Sequence, residues 1–476
     1  MRRLLLTTLF VVPSFLNGQI TIAAEEAANS SVVTYDKEYF EKFDAVTLLD
    51  MLNRIPGVQE ILNKSRRERD SQANFGAGAS ERGFGAGGDQ ILINGKRLAG
   101  KDINIDDTLA RVTASQVVKI DLIRGAAEGL DVQSEGLVIN ITLDQSATQS
   151  TTFWRIGGRA YLGQKQAHLL TLSHSGSTGK LDYTVTAESE RKYRYSLRDE
   201  QYLYGGSDIV ARQIDSFTPN RKDNHKLSSN ISYNFEDGAV LRLNGLYNPE
   251  TQYDFDTRLI TYLDESFGPA ISVVDDTLTA DGNRKLSEVW SNRVTPTKWE
   301  IGGDYSRSLG VLGSLKSLFV FNKENRDTGK TFTKGEGSTQ YLYKSQDTKL
   351  NKSETIFRTS VSKGLGGGQS IEIGGEAAVN KYNQSFQNNT RSAKGAELLL
   401  KNNDDVKIKE NRYELFANHS YTISSQISLQ SSLTAEFSKI SADNFFANGD
   451  VDRRNASFKF LKPRMNFRYD VQHRTN

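Results

Sequence analysis

The chain of 476 residues contains no cysteine. That removes disulfide frameworks and thiolate metal sites from consideration. It also lacks an apolar run long enough to cross a bilayer as a helix. The longest, from Leu4 to Leu16, holds about 13 residues, against the roughly 20 that a spanning helix requires. Net charge is nearly absent as well: 60 basic and 58 acidic side chains leave +2, which is no electrostatic footprint for nucleic acid. No Gly-x-Ser-x-Gly elbow occurs, so a serine hydrolase has no motif to stand on. The five histidines, at 168, 174, 225, 419 and 473, show no metal-ligand spacing. His168 and His174 stand about 20 Å apart at strand rise and cannot share an ion. Gly83 to Gly88 fits G-x-G-x-x-G, but a strand follows it where a dinucleotide site needs a helix. The carboxylate pairs Asp275-Asp276 and Asp404-Asp405 sit in polar stretches and read as solvated loop residues. These absences predict no catalytic residue, no cofactor and no metal site.

Mean hydropathy is −0.53. A soluble protein has such a mean, and so does a membrane β-barrel, whose strands alternate apolar and polar residues. The opening "MRRLLLTTLFVVPSFLNG" has two arginines, an apolar run and then small residues, the order of a secretory signal. An exported chain without an apolar helix enters a membrane only as a barrel.

Three regions separate by texture. Residues 1–24 read as the signal, 25–148 as a small α+β domain, and 149–476 as β-structure. In the second, "DAVTLLDMLNRIPGV" carries a helix pattern with Asp44 as its cap and Val46, Leu49, Leu52 and Ile55 as its apolar stripe, stopped by Pro56-Gly57. Ile91 to Ile93 is strand-like and runs into Asn94-Gly95, a strong turn signal. Val117 to Ile123 and Leu137 to Leu143 are further strands.

The third region alternates with period two. In "KLDYTVTAES", Leu181, Tyr183, Val185 and Ala187 oppose Asp182, Thr184, Thr186 and Glu188. "KWEIGGDYS", "SIEIGGEAAVN", "ISLQSSLTAEFS" and "LKPRMNFRYDV" repeat the pattern. Each is a strand with one apolar and one polar face. A soluble sandwich shares this alternation. Strands near the roughly 9 to 11 residues of a tilted crossing favour a membrane barrel. So do unequal loops, from a tight "EDG" at Asp237 to a long one expected across "NGLYNPETQ…ADGNRK". Aromatics near strand ends, namely Phe153, Trp154, Tyr161, Tyr183, Tyr233, Tyr247, Trp299, Tyr305, Tyr413 and Tyr421, suit interfacial girdles. Arg155, Arg159, Asp182, Glu188, Glu300, Asp304, Glu372, Glu376 and Glu436 then face the lumen.

The segment from Ser31 to Asp144 resembles the plug domain of TonB-dependent outer-membrane receptors. Five blocks carry the resemblance in order: "VTLLDMLNRIPGV", "ERGFGAGG", "QILINGKRL", "KIDLIRGAAEG" and "GLVINITL". The family's Tyr-Gly after Arg-Gly is replaced here by Gly129-Leu130-Asp131. The resemblance implies an α+β plug followed by an antiparallel transmembrane β-barrel in the bacterial outer membrane. It implies import of a scarce ligand, by default a ferric siderophore, with carbohydrate or cobalamin as alternatives. The implied partners are the TonB complex of the inner membrane, the extracellular ligand and the lipid bilayer, around a monomer. The coupling segment falls between Gln19 and Ser30. An uncoupled binding or structural barrel is the alternative, and an outer-membrane lipase is a third reading without a triad. Arg82, Phe84, Asn94, Lys96 and Arg97 are the candidate ligand contacts, on glycine-flanked loops and a hairpin tip. Arg124, Gly125 and Asn140 are expected to be structural.

Size sets a last expectation. A plug of about 115 residues is about 34 Å across, whereas a closed barrel of about 12 strands is only about 24 Å. Roughly 22 strands would enclose it. The region from Thr151 holds about a dozen, roughly 25 residues each with loops, so the barrel is expected to be incomplete by about ten strands, on the order of 200 to 250 residues. An open sheet should result, its edge strands near Trp154 and Tyr469 unpaired.

Overall fold

The computed structural model describes residues 32–56, 58–59, 62, 90–94, 96–97, 109, 112, 114–124 and 137–144. It also describes 150–469 except 162–164, 204–209, 263–283, 336–339 and 425. The signal segment, the coupling segment 19–30, the glycine-rich stretch 76–88 and Gly125 lie outside the described residues.

The amino-terminal unit has five strands: β1 (Val32–Asp36), β2 (Gln90–Ile93), β3 (Lys96–Arg97), β4 (Val117–Arg124) and β5 (Leu137–Leu143). Their order in the sheet is β1-β4-β5-β2-β3. Only β2 and β5 run parallel. Two short helices, α1 (Lys37–Glu41) and α2 (Leu48–Leu52), follow β1. A capping box starts α2: the Asp50 amide donates to the Thr47 hydroxyl at 3.2 Å, and the Thr47 amide donates to the Asp50 carboxylate at 2.9 Å. Such a cap stabilises by roughly 1 kcal/mol. The cap is therefore Thr47, not Asp44, which has a φ of +48°. Starting the helix three residues later rotates the apolar stripe. Val46 is 71% exposed, while Leu48, Met51, Leu52 and Ile55 are buried, the i, i+3, i+4, i+7 face. They pack with Ile91, Ile120, Ile139 and Ile141 of the sheet. Each fully buried aliphatic contributes about 1.5–3 kcal/mol.

The expected turn at Asn94 is present, with φ of +52°. Asparagine tolerates this left-handed conformation better than most residues. The turn also closes on the sheet. The Asn94 amide donates to the Ile141 carbonyl at 2.7 Å, and its side-chain oxygen accepts from the Leu143 amide at 2.8 Å. The parallel β2·β5 ladder thus extends one residue past the end of β2.

The second unit is one antiparallel sheet of twelve strands. They are β6 (Ser150–Tyr161), β7 (Lys165–Thr178), β8 (Leu181–Leu203), β9 (Val210–Asn234), β10 (Val240–Tyr262) and β11 (Arg284–Ser308). Then come β12 (Ser314–Gly335), β13 (Tyr341–Gly366), β14 (Gln369–Thr390), β15 (Leu399–Thr422), β16 (Ile427–Phe445) and β17 (Val451–Tyr469). Each strand pairs with its neighbours in sequence, and β6 and β17 are the two edges. The sheet is open among the described residues, as the size argument requires. The fold class read from the sequence, an α+β unit followed by an incomplete antiparallel barrel sheet, is the one observed.

The strands are longer than the sequence reading allowed, 12 to 26 residues. The long loop expected from Asn244 is strand as far as Tyr262; only 263–283 separates β10 from β11. Asp404 and Asp405 likewise belong to β15 and not to a loop. Thr favours strands while Asn and Asp disfavour them, yet all three pair across strands there, so sheet context overrides local propensity and polarity alone did not mark a loop.

Asn94→Ala should leave the Leu143 amide without its acceptor, at a cost of about 1–3 kcal/mol. Hydrogen exchange at Ile141 to Leu143 should then quicken by about tenfold or more. Unchanged exchange would show that the turn contributes nothing to the β5 ladder.

Candidate functional site

The register assigns one face to each residue of the large sheet. From β8 to β17, even-numbered residues share one face and odd-numbered residues the other, up to the register shifts after Phe332, Gly364 and Asn388. Burial is inverted relative to a soluble protein. On the even face, Glu300 is 1% exposed and Asp304, Glu376 and Arg412 are buried. On the odd face, Ile301, Ile373, Leu415 and Leu433 are exposed. The apolar odd positions cluster toward the tight-turn ends. They form a band about 20 Å long on the strand, or about 15 Å tall at a tilt of roughly 40°, as from Leu227 to Tyr233 in β9. Tyr233 and Tyr305 lie near one rim, Tyr247 and Trp299 on the other. Phe153 and Tyr161 fall on the polar side of β6, paired with Ser173 and Lys165, and belong to neither rim.

The polar face carries every lumen residue expected from the sequence, and most are paired. Glu188 meets Lys226 at 2.5 Å, and Arg242 binds Asp304 through two nitrogens. Asn234 donates to Asp182 at 3.1 Å, Asn244 to Glu300 at 3.3 Å and Asn418 to Glu372 at 3.1 Å. Arg155 reaches Thr171, and Arg159 reaches Tyr161. Glu376, Glu414 and Glu436 stand directly opposite one another on β14, β15 and β16. Adjacent like charges repel, and cations interleave them. Arg412 lies 2.8 Å from Glu376 and 3.7 Å from Glu414, Arg358 lies 3.7 Å from Glu376, and Lys462 contacts Glu436.

Two glycines make room for this layer. A Cβ on Gly302 would sit 2.7 Å from the Asn244 side-chain oxygen, and one on Gly374 would sit 2.6 Å from the Phe416 ring. Arg358 stacks on that same ring at 4.1 Å.

Farther along the same face, beyond the level of the band, one row crosses four strands: Asp256, Trp290, Phe332 and Lys344. The Trp290 and Phe332 rings meet edge to face at 5.4 Å. The Arg258 guanidinium lies 3.7 Å from the Trp290 ring centroid and 2.8 Å from Asp256. Lys344 lies 5.1 Å from the Phe332 centroid. A register shift after Phe332 leaves Tyr343 as an extra residue, and bulges of this kind re-aim side chains. Tyr343 sits 6.2 Å from Phe332 with Lys334 at 4.9 Å. Burial first, and Glu288 second, raise its phenol above the ordinary value. The result is an aromatic floor flanked by cations, suited to a planar, anionic ligand.

Sequence reasoning missed this row because the stretch that holds Trp290, between Lys285 and the strand read from Lys298, was given no assignment. The parity that placed Glu300 and Asp304 on the lumen face also places Trp290 there. Of the candidate contacts that were named, Arg82 and Phe84 lie outside the described residues. Lys96 and Arg97 form β3, their side chains undescribed. Asn94 uses its side chain on Leu143. Arg124 ends β4 opposite Leu137, its side chain also undescribed. Asn140 is buried between Leu92 and Asp121. Asp121 was not singled out, yet it is buried and accepts from Thr34 at 2.8 Å.

Residues 24–133 match the family model of the TonB-dependent Receptor Plug Domain. No curated protein matches the chain. Among solved structures, the siderophore receptor PiuA from Acinetobacter baumannii aligns at 13% identity and a TM-score of 0.38, covering 93% of this chain and 62% of that one. The ferric-catecholate import receptor Fiu from K12 E. coli aligns at 11% identity and a TM-score of 0.36, covering 93% of this chain and 63% of that one. The chain thus spans less than two thirds of the length of either receptor. The five ordered sequence blocks, the β1-β4-β5-β2-β3 unit and the matched family model together identify residues 24–133 as a plug domain of the TonB-dependent receptor type.

Proposed function

We propose that the chain takes part in energy-coupled import of a ferric siderophore across the outer membrane. The observation that carries the ligand class is the cation-flanked aromatic row Arg258, Trp290, Phe332, Lys344 and Tyr343 on the polar face. Iron chelates of the catecholate type are anionic and ring-bearing. Flat rings supply stacking area, Lys344 and Lys334 beside them supply positive charge, and Arg258 shares its charge with Asp256. A carbohydrate ligand would favour the rings but not the cations.

The plug family supports the coupling half of the reading. A plug obstructs its barrel, and work delivered from the inner membrane through TonB displaces it. The handle for that work is placed at residues 23–30, a small and acidic segment. The ligand-contact roles of Arg82, Phe84, Lys96 and Arg97 remain part of the proposal. Asn94 is reassigned within it as a structural turn residue. Residues 1–24, 25–148 and 149–476 are proposed as signal, plug and barrel portions. No step of this mechanism makes or breaks a covalent bond in the ligand.

Tryptophan fluorescence tests the ligand class. The chain has three tryptophans, and Trp154 and Trp299 lie on the face that carries the apolar band. A ferric tris-catecholate should quench Trp290 alone, so Trp290→Phe should abolish the quench. Arg258→Gln should weaken binding by roughly tenfold, the scale of one charge-assisted contact. Quenching by a neutral oligosaccharide or a cobalamin, and not by the iron chelate, would contradict the siderophore reading. Deleting residues 23–30 should abolish uptake while leaving the quench intact. Uptake that survives the deletion at normal surface levels would favour an uncoupled barrel.

A further inference from the structure

The odd face changes character just beyond the apolar band. Its last apolar row is Ala187, Leu227, Tyr247 and Trp299, one residue from each of β8 to β11. Ser189 and His225 come next, joined by a hydrogen bond of 3.0 Å, and His168 binds the same Ser189 hydroxyl at 2.9 Å. The following row begins Arg191, Asp223, Thr251. The row after it is Tyr193, Arg221, Tyr253 and Arg293. The Arg221 and Arg293 guanidiniums flank the Tyr253 ring at 5.6 and 5.7 Å. Lys165 lies 5.7 Å from the Tyr193 ring. Arg191 and Arg221 share Asp223. Burial alone would raise that carboxyl, and the hydrogen bonds from the two arginines carry it below its ordinary value instead. Asp223 is therefore shared by Arg191 and Arg221, and Arg293 adds a further cation on the same face. The patch is bounded: beyond Arg293 the same row continues as Gly329 and Asp347 on β12 and β13.

We propose that this patch binds the phosphates of an anionic lipid headgroup in the leaflet on the side of the long connections. The proposal rests on the reading that the apolar band faces a bilayer. Height argues for lipid over a soluble anion. The arginine rows lie four to six residues past the rim, about 10 to 15 Å above it once strand tilt is allowed for. Long arginine side chains span the remaining distance back toward the headgroups. Charge argues for phosphate, since guanidinium binds it bidentately, and aromatic residues that hold such cations are typical of a membrane rim. The patch is continuous with the band, so one lipid would place its chains on Leu227 and Leu170 and its phosphates among Arg191, Arg221 and Arg293.

The test reconstitutes the 476-residue chain into phosphatidylcholine nanodiscs containing a minor fraction of diphosphoryl lipid A. After extraction into mild detergent, native mass spectrometry counts lipid A per chain. Retention should fall at least fivefold in Arg221→Gln/Arg293→Gln, and as far for the unmodified chain with dephosphorylated lipid A. The Arg221→Lys/Arg293→Lys pair should keep part of it. Lys192→Gln/Lys222→Gln alters a cation pair at the same height on the opposite face and should leave retention unchanged. A β-type circular dichroism spectrum certifies each variant as folded. Unchanged retention in the arginine-to-glutamine pair, equal loss in the lysine control, or displacement by millimolar inorganic phosphate would overturn the proposal. Failure of the unmodified chain to enter nanodiscs would instead overturn the bilayer reading, and the proposal with it.

Discussion

Everything in the large sheet depends on one inversion: its charged face is the buried one. A buried charge without a partner is costly, and removing one member of a buried pair is strongly destabilising. The sheet meets this by register. Period-two alternation sends Asp, Glu, Arg and Lys to one side, and antiparallel pairing lines them up across strands. Cations then fall beside carboxylates of a neighbouring strand, as Arg242 does with Asp304 and Arg412 with Glu376, or two residues along their own, as Arg258 does with Asp256. A one-residue slip would send these charges to the apolar face, so the pairs fix the register as firmly as they depend on it. Glycine at 302 and 374 keeps the layer thin enough for Asn244 and Phe416 to lie flat.

The length of the strands divides the sheet into two zones. Near the tight turns, exposed leucines, isoleucines and aromatics occupy the odd face. Farther out, that face becomes polar and cationic, and the even face gains the Trp290–Phe332 row. A crossing of roughly 9 to 11 residues uses less than half of a strand such as β13. The remainder is free to display side chains away from the bilayer, and both the proposed ligand row and the proposed lipid patch sit there. They lie on opposite faces, the ligand row three residues farther out than the outer arginine row, which lets one sheet bind two different chemistries.

Much of this was legible in the sequence, because a strict two-residue period is its own evidence. The lumen residues from Arg155 to Glu436 followed from parity, and the five plug blocks followed from their order. What failed did so where local signals were ambiguous. Asp44 and Thr47 are both capping types, and only the capping-box partner Asp50 selects Thr47. Asn, Asp and Thr in β10 and β15 imitate a loop because their strands leave the membrane, where no apolar face is required. Trp290 was lost because the alternation between Lys285 and Lys298 was not read. Asn94 was read as a ligand contact from its place at a hairpin tip. Its side chain turns inward to a backbone amide 49 residues away in sequence, a partner that no local pattern reveals.

The absence of cysteine makes the central claim directly measurable. Single cysteines placed at 429, 431, 433, 435 and 437 of β16, and at the even positions between them, can carry a spin label in lipid nanodiscs. The account predicts that odd positions collide strongly with oxygen, which partitions into the bilayer, and weakly with a water-soluble nickel chelate. Even positions should show low oxygen accessibility, giving a clean two-residue period in phase with Leu429, Leu433 and Phe437. A flat profile, or one with the even positions in contact with lipid, would contradict it.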